Sequence, residues 1–575
     1  MNRLNKVTKS PLAIHMNYTK IAVFVLAFSF GFAAYAQSPI PGEPTGVSEW
    51  VFFNVDGKLE YKDTEDGDRI TDFSYAGYMG GGVALPDLPV KKTVSPLPNG
   101  ADNTQLIQDA INEVAALPVD ENGFRGAVLL APGEFLCLRT ININASGIVL
   151  RGSVGANGEL LSTIRMDGLS RYVAIRVAHG GGEPGGGGGQ GQRPAGAGPA
   201  VRTTFVDDIH VPSGALSFRV KDATGFQVGD RIEIRRPVTA AWVEFVVMHN
   251  LIRDGQRQTW MPIGSTINVE RRIAAIDGDK IAVDGALTDS YNPKYLSPPG
   301  TIVAKLTTPS QLINQAGIEY LRIVSPEMPY NHSDPRISRG ELPMYEAVRI
   351  NGEDCWMRHV KIDETMNSVA VNGRRITLQF VDITRRALHP GSSRPAEFAP
   401  NGSQILIDRC TVDADNIWFI AVGGRVSGPN VILNCTFVSS ERHPSRAEGH
   451  QRWSTAFLFD NCVVTNNGRI DILNRGMSGS GHGWALAWCV IWNCRANILV
   501  QEPPGTRNWA IGNIGNRQTA GRMNEGNAEY RATLPGGRLP EGTIDSHGVH
   551  VAPKSLYLTQ LLERLGPEAL KNIGY

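Results

Sequence analysis

Apolar residues recur in short triplets along the second half of the chain. Leu321-Arg322-Ile323, Val360-Lys361-Ile362, Val381-Asp382-Ile383, Cys410-Thr411-Val412, Cys435-Thr436-Phe437, Cys462-Val463-Val464 and Cys494-Arg495-Ala496 occupy equivalent places. Two apolar residues around one free position mark a strand with one buried face. The steps between triplets lie between about 20 and 40 residues, the range in which one strand-bearing unit per repeat means a solenoid. The shortest step suits a single coil, and the excess elsewhere marks loops. This register places Cys410, Cys435, Cys462 and Cys494 at one inward position of successive coils, where free thiols stack as small hydrophobes. The Asn before Cys435, Cys462 and Cys494 then falls at a bend.

Upstream the period changes. Leu106, Ile107, Ala110, Ile111 and Val114 make one apolar face at helical spacing, with Asp102 or Asn103 as the cap. Ala127 to Leu130 and Ile148 to Leu150 read as strands, closed by Pro132-Gly133 and Arg151-Gly152. Asp102-Asn103-Thr104 leading into this helix, then Gly126 to Phe135 and Ile148 to Gly152, resembles the entry to the pectate-lyase-like superfamily of carbohydrate-active enzymes. The resemblance implies an all-β fold, a right-handed parallel β-helix whose N-terminal helix plugs the open end of the coil. Lyases, glycoside hydrolases and phage tailspikes share this entry.

The expected organisation is a signal peptide over 1–36, an N-terminal extension over 37–100, and the start of the β-helix with its capping helix over 101–178. Residues 179–200, nearly all Gly, Pro, Ala and Gln, read as a linker. Alternating strands over 201–289 predict a small inserted β domain, coils follow over 290–550, and a short helical segment over 551–575 carries Leu556, Leu558, Leu561, Leu562 and Leu565. The basic start, the apolar run Ile21 to Phe32 and Ala34-Tyr35-Ala36 describe a secretory signal, so a secreted or periplasmic protein is expected. Nothing later reads as a membrane span.

Composition narrows the partners. Lys plus Arg and Asp plus Glu number 56 each in 575 residues, so no bulk charge points to nucleic acid or a membrane surface. No Cys-x-x-Cys or His-x-x-x-His spacing suggests a metal; no cofactor is expected, and no motif indicates Ca2+. A monomer acting on an acidic polysaccharide is the expectation.

A β-helix interior is filled, so chemistry belongs on outward strand positions or in loops. His450 and His482 stand equally far before Cys462 and Cys494, which puts both imidazoles on one edge of adjacent coils. Arg442, His443, Arg446, Arg452, Trp453, Asn474, Arg475 and Trp484 surround them in the same loops. The pattern predicts a polysaccharide lyase acting by β-elimination on a uronate. His450 and His482 serve as base and acid, and Arg452 with Arg446 or Arg475 clamps the carboxylate. Trp453, Trp484 and Asn474 complete the substrate surface. Two alternatives stand beside it. One is a glycoside hydrolase using paired carboxylates from Glu448, Asp460 and Asp471; the other is a non-catalytic glycan-binding or surface protein. A rival cluster, Lys361 and Asp382 with His359, Asp363, Arg409 and Asp413, reads more simply as a solvated ladder of charges. Gly481-His482-Gly483 is similar to the Gly-His-Gly of polygalacturonases, but the rest of that family's pattern is missing.

Overall fold

The protein is described by a computed structural model covering residues 39–180, 200–306, 310–331, 333–387, 396–415, 418–441, 444–518 and 539–575. The expected signal peptide, most of the Gly-rich linker, Arg442 and His443 lie outside these residues.

Twenty-eight strands form one continuous parallel ladder, each pairing in parallel with the equivalent strand one coil later. The chain is a parallel β-helix. Its ladder divides into three faces. The first runs through Ile141–Ile143, Arg171–Val177, Met344–Glu353, the start of Val369–Arg385, Ala396–Pro400, Trp418–Val422, Arg446–Gly449, Arg469–Ile472 and Asn497–Val500. The second includes Gly126–Leu130, Ile148–Gly152, Gly317–Glu319, Ser403–Asp408, Ser427–Leu433, Ser454–Asp460 and Val490–Trp492. The third includes Ser162–Met166, Arg322–Val324, Thr411–Ala414 and Thr436–Val438. The ladder already begins at Val90–Val94, which pairs with Gly126–Leu130, so coiling starts before residue 101.

The cysteine register holds. Pairing of Thr411 with Thr436 and of Thr436 with Val463, and the bridge from Val463 to Arg495, align Cys410, Cys435, Cys462 and Cys494 in one inward column. All seven cysteines are buried and free. Burial pushes the Cys410, Cys435 and Cys462 thiols well above their ordinary pKa, so they are hydrophobes here and not nucleophiles. Asn434, Asn461 and Asn493 occupy the preceding bend at φ of 52°, 55° and 50°, a left-handed conformation that Asn tolerates well. Their side-chain amides bind Tyr575, Lys554 and Val551, and so tie down the C-terminal segment.

The helix Thr104–Ala115 lays Ile107, Ala110, Ile111 and Val114 into the same core as the first coils, and Asp102 accepts the Thr104 N–H. At the other end of the sequence, Asp460 accepts from Ser555 Oγ at 2.7 Å and from the Tyr557 N–H at 2.8 Å, capping the helix Leu556–Leu565.

The segment between the early coils folds as a six-stranded antiparallel sheet separate from the ladder. It extends past residue 289, because Ile302–Leu306 returns to pair with both Ala200–Phe205 and Arg231–Pro237. Its core is not its own. Trp242, Trp260 and Met248 share one apolar cluster with Leu406, Val431, Leu458, Trp453, Trp484 and Val490 from the second face. An ion-pair network closes this contact: Arg374 bridges Glu270 and Glu353, and Arg231 holds Glu270 at 2.8 Å. The module covers the second face at Leu406, Val431, Leu458 and Val490.

Candidate functional site

On the first face the pattern charged–apolar–charged is written twice, as Arg446-Ala447-Glu448 and Arg469-Ile470-Asp471. Ala447 and Ile470 point into the coil core. Strand alternation therefore sends the charged residues outward. Register stacks Arg446 on Arg469 and Glu448 on Asp471, with Trp418 and Ala421 one coil earlier.

These outward carboxylates are nonetheless shut off from solvent, Glu448 at 1% exposure and Asp471 at 0%. Glu448 Oε1 accepts from Trp418 Nε1 at 2.6 Å and lies 3.1 Å from Arg475 Nη1. Arg446 Nη1 stands between the two acids, 3.7 Å from Glu448 and 3.8 Å from Asp471. Asp471 receives Arg469 Nη2 on one oxygen at 2.8 Å, while its Oδ1 has no hydrogen-bond partner among the described residues. Burial pushes the Asp471 carboxyl up to about 6; Arg469 and Arg446 oppose that rise and the Glu448 charge adds to it. The two adjacent carboxyls thus differ: Glu448 has two donors on Oε1, whereas Asp471 has one on Oδ2 and none on Oδ1 among the described residues.

The two histidines meet beside this pair. Their ring centroids are 4.7 Å apart with the planes at 87°, and the Trp418 ring lies 6.4 Å from His450. Arg475 sits over Trp418 at 5.7 Å and donates to the His450 carbonyl at 2.9 Å. His482 is pushed down to about 2 by burial and by the charges of Arg475 and its neighbours, so its ring is neutral at any ordinary pH. Its Nδ1 is buried with no hydrogen-bond partner among the described residues.

Of the residues expected from the sequence, His450, His482, Arg446 and Arg475 come together here. Four do not serve as expected. Trp453 is completely buried beneath the antiparallel module, with Nε1 donating to Asp289 at 2.8 Å and its ring against Trp242 at 4.8 Å. Trp484 is buried likewise, donating to the Val246 carbonyl. Arg452 and Trp453 both have left-handed φ, 52° and 56°, and this turn carries the chain away from the first face. Arg452 then reaches the Trp260 carbonyl at 2.6 Å and Ser480 Oγ at 2.7 Å, locking module to loop. Asn474 is buried; its Oδ1 accepts from Gly476 in its own turn. Of the rival cluster, Lys361 and Asp382 are exposed on adjacent rungs and Arg322 pairs with Asp363, while the Arg409 side chain is only 7% exposed. Asp460, capping the C-terminal helix, is remote from this chemistry.

Trp418 and Arg469 escaped the sequence reading. The repeated Arg-x-acid pattern on two coils was the signal that contained Arg469. Among the described residues, no group of three or more His, Cys, Asp or Glu is placed to hold a metal ion.

No family model matches the chain, and no curated protein matches its sequence. Solved structures similar to it include the Gp54 tailspike of Acinetobacter baumannii bacteriophage AP22, in complex with A. baumannii capsular saccharide, at 12% identity and a TM-score of 0.38 over 75% of this chain. The tailspike gp49 from Pseudomonas phage LKA1 is 14% identical with a TM-score of 0.40 over 73%. The chain spans 57% of the length of each. A DFA-IIIase from Arthrobacter chlorophenolicus A6 is 10% identical, with a TM-score of 0.24, over 79% of this chain and 93% of its own. Likenesses of this size leave the chemistry to be argued from the side chains.

Proposed function

We propose that the first face cleaves a glycan by hydrolysis, with Asp471 as general acid and Glu448 as its ionised partner. The observation that carries this is the unequal pair: adjacent outward carboxyls, one bonded by Trp418 and Arg475, the other raised to about 6 with an unpaired oxygen. Environments that push two neighbouring carboxyls apart are how one site holds an acid and a base at the same pH. Asp471 gives its proton to the glycosidic oxygen as the carbon–oxygen bond breaks. Adjacent rungs lie about 4.8 Å apart, nearer the separation of about 5 Å in retaining enzymes than the 6.5–9.5 Å of inverting ones. Glu448 therefore attacks the anomeric carbon, and water releases the sugar while Asp471 recovers a proton. Arg446 and Arg469 roof the pair, and an anionic sugar draws both aside. The export signal expected from the sequence suits a glycan outside the cell.

A second reading, β-elimination, is favoured by the contact of half-buried His450 with a permanently neutral His482. It asks more of the arginines, because Arg446 and Arg475 must leave their acids to grip the substrate carboxylate. One experiment separates the two. The protein is incubated with a panel of acidic glycans while reducing ends and the ultraviolet band of unsaturated uronates are followed. Reducing ends without the band, lost by about 10²-fold or more in Asp471→Asn, are expected. A growing band that survives Asp471→Asn and disappears in His450→Ala overturns the hydrolytic assignment.

A further inference from the structure

The bend between the second and third faces uses a single left-handed residue per coil, and its side chains form a column. Tyr320, His359, Phe380 and Arg409 follow one another there at φ of 55°, 52°, 53° and 51°. The rings stack: Tyr320 on His359 at 5.1 Å with planes within 7°, and His359 on Phe380 at 4.7 Å within 14°. Arg409 covers Phe380 at 4.5 Å. At the other end the ring stack stops at Tyr320, with the Arg358 guanidinium 5.6 Å from its centroid. Register pairs Glu319 with Arg151, so the column position above Tyr320 is Gly152, which has no side chain to place there. A Cβ on Gly152 would stand 2.2 Å from the Tyr320 carbonyl oxygen, so the close approach of coils requires glycine.

Where the next ring would lie there is a cavity of about 560 Å3, lined by Tyr320, Gly152, Val154, Arg151, Arg358 and Asp87 among others. That is within the size range of small-molecule sites, about 300–1,000 Å3. Its two guanidiniums are fixed from below. Fully buried Glu319 takes Arg151 Nε at 2.8 Å, Arg358 Nη2 at 2.8 Å and Trp356 Nε1 at 2.7 Å. One carboxylate thus holds two cations. The remaining charge is met at the mouth by Asp87, 2.8 Å from Arg151 Nη2 with its side chain 85% exposed. Arg358 Nε is buried and has no hydrogen-bond partner among the described residues.

We propose that this cavity binds an acidic sugar unit of a glycan. The sugar ring packs in the cavity against Tyr320 and beside the Arg358 guanidinium. Its carboxylate replaces that of Asp87 on Arg151, a planar acceptor for a planar donor. Asp87, held by an exposed contact worth little in water, is the resident stand-in for the ligand. The site is on a different face from Glu448 and Asp471 and does not depend on what they catalyse.

The test is a calorimetric titration of the full chain with trigalacturonate, with neutral galactotriose and inorganic phosphate as comparators. Asp87→Asn is exposed and leaves the fold intact; it should tighten trigalacturonate binding by about three- to tenfold. Tyr320→Asn keeps a residue suited to the left-handed bend and should weaken it by about tenfold or more. Galactotriose should bind more weakly and ignore Asp87→Asn. Unchanged or weaker binding by Asp87→Asn, or phosphate binding as tightly as trigalacturonate, overturns the proposal. Asp471→Asn should leave the component that responds to Asp87→Asn unmoved, so this reading and the catalytic one fail separately.

Discussion

Replacing Asp471 by asparagine should change how stability depends on pH, whatever the site catalyses. The folded state holds this carboxyl up to about 6, against an ordinary value of 3.8. A group whose folded pKa is raised binds its proton more tightly in the native state than in the unfolded one. Its contribution is complete below the unfolded value and is lost as pH rises through the folded value. A gap of roughly two units at 1.36 kcal/mol each gives about 3 kcal/mol, as an order of magnitude. Asparagine has no proton to lose. Arg446 and Arg469 lose a partner in the variant, but both stay charged throughout, so that loss is a fixed offset. Asp460 and Glu502, each raised to about 7 by burial, titrate in both proteins and cancel in the difference. The quantity to read is the difference in urea unfolding free energy between variant and parent, followed from about pH 4 to about pH 8. It should move toward the variant by up to about 3 kcal/mol, most steeply between the two pKa values. A difference that stays flat across this range would falsify the claim that burial dominates at Asp471, and with it the acid–base division at the site.

Three further outcomes follow from contacts already described. Trp453→Phe keeps the ring but leaves Asp289 short of one donor, so it should cost about 1–3 kcal/mol in denaturant unfolding while cleavage stays at the parental rate; a large fall in activity would restore the substrate-stacking role. Asp460→Ala removes the acceptor for Ser555 and Tyr557 and should cost about 1–2 kcal/mol, seen as faster proteolysis within 556–575; an unchanged cleavage pattern would refute the capping role. Cys462→Ser places a hydroxyl in an apolar column and should destabilise by about 1–3 kcal/mol, and the seven native thiols should resist a thiol-specific reagent until the protein is unfolded. Rapid labelling of Cys410 or Cys435 in the folded protein would contradict the inward register.

The solenoid was legible because its signal is repetition. Triplets at equivalent places announce coils even when single strands are too short to recognise, and the cysteine column follows from that alignment alone. The Asn ladder was legible for the same reason: one residue per coil must turn left-handed, and Asn tolerates that conformation. What the pattern did not reveal was where the ladder begins and where the inserted sheet ends. Val90–Val94 is mostly exposed and polar, and Ile302–Leu306 joins its sheet only by returning across many residues to Ala200–Phe205. Pairings of that kind have no local signature.

The site was half legible, and the reason lies in the difference between adjacency and direction. Equal spacing from the cysteine column correctly brought His450 and His482 to one edge, because coils keep register. The same argument put Trp453 and Trp484 on the substrate surface and failed: the chain turns at left-handed Arg452 and Trp453, and both indoles go beneath the antiparallel module. A tryptophan within reach of a large apolar surface is drawn beneath it; burying such a ring gains several times the energy of one exposed contact. The module that supplies this surface comes from 200–306, far away in sequence, so nothing near Trp453 announces it. Charged residues followed the opposite logic. Arg446, Glu448, Arg469 and Asp471 stand on strand positions whose direction is fixed by the inward Ala447 and Ile470 between them. Arg446 and Arg469 lie against these carboxyls, and Asp471 Oδ1 is left without a donor among the described residues. Burial lets that carboxyl keep its proton up to about pH 6, well above an ordinary aspartate, which is the direction general acid catalysis requires.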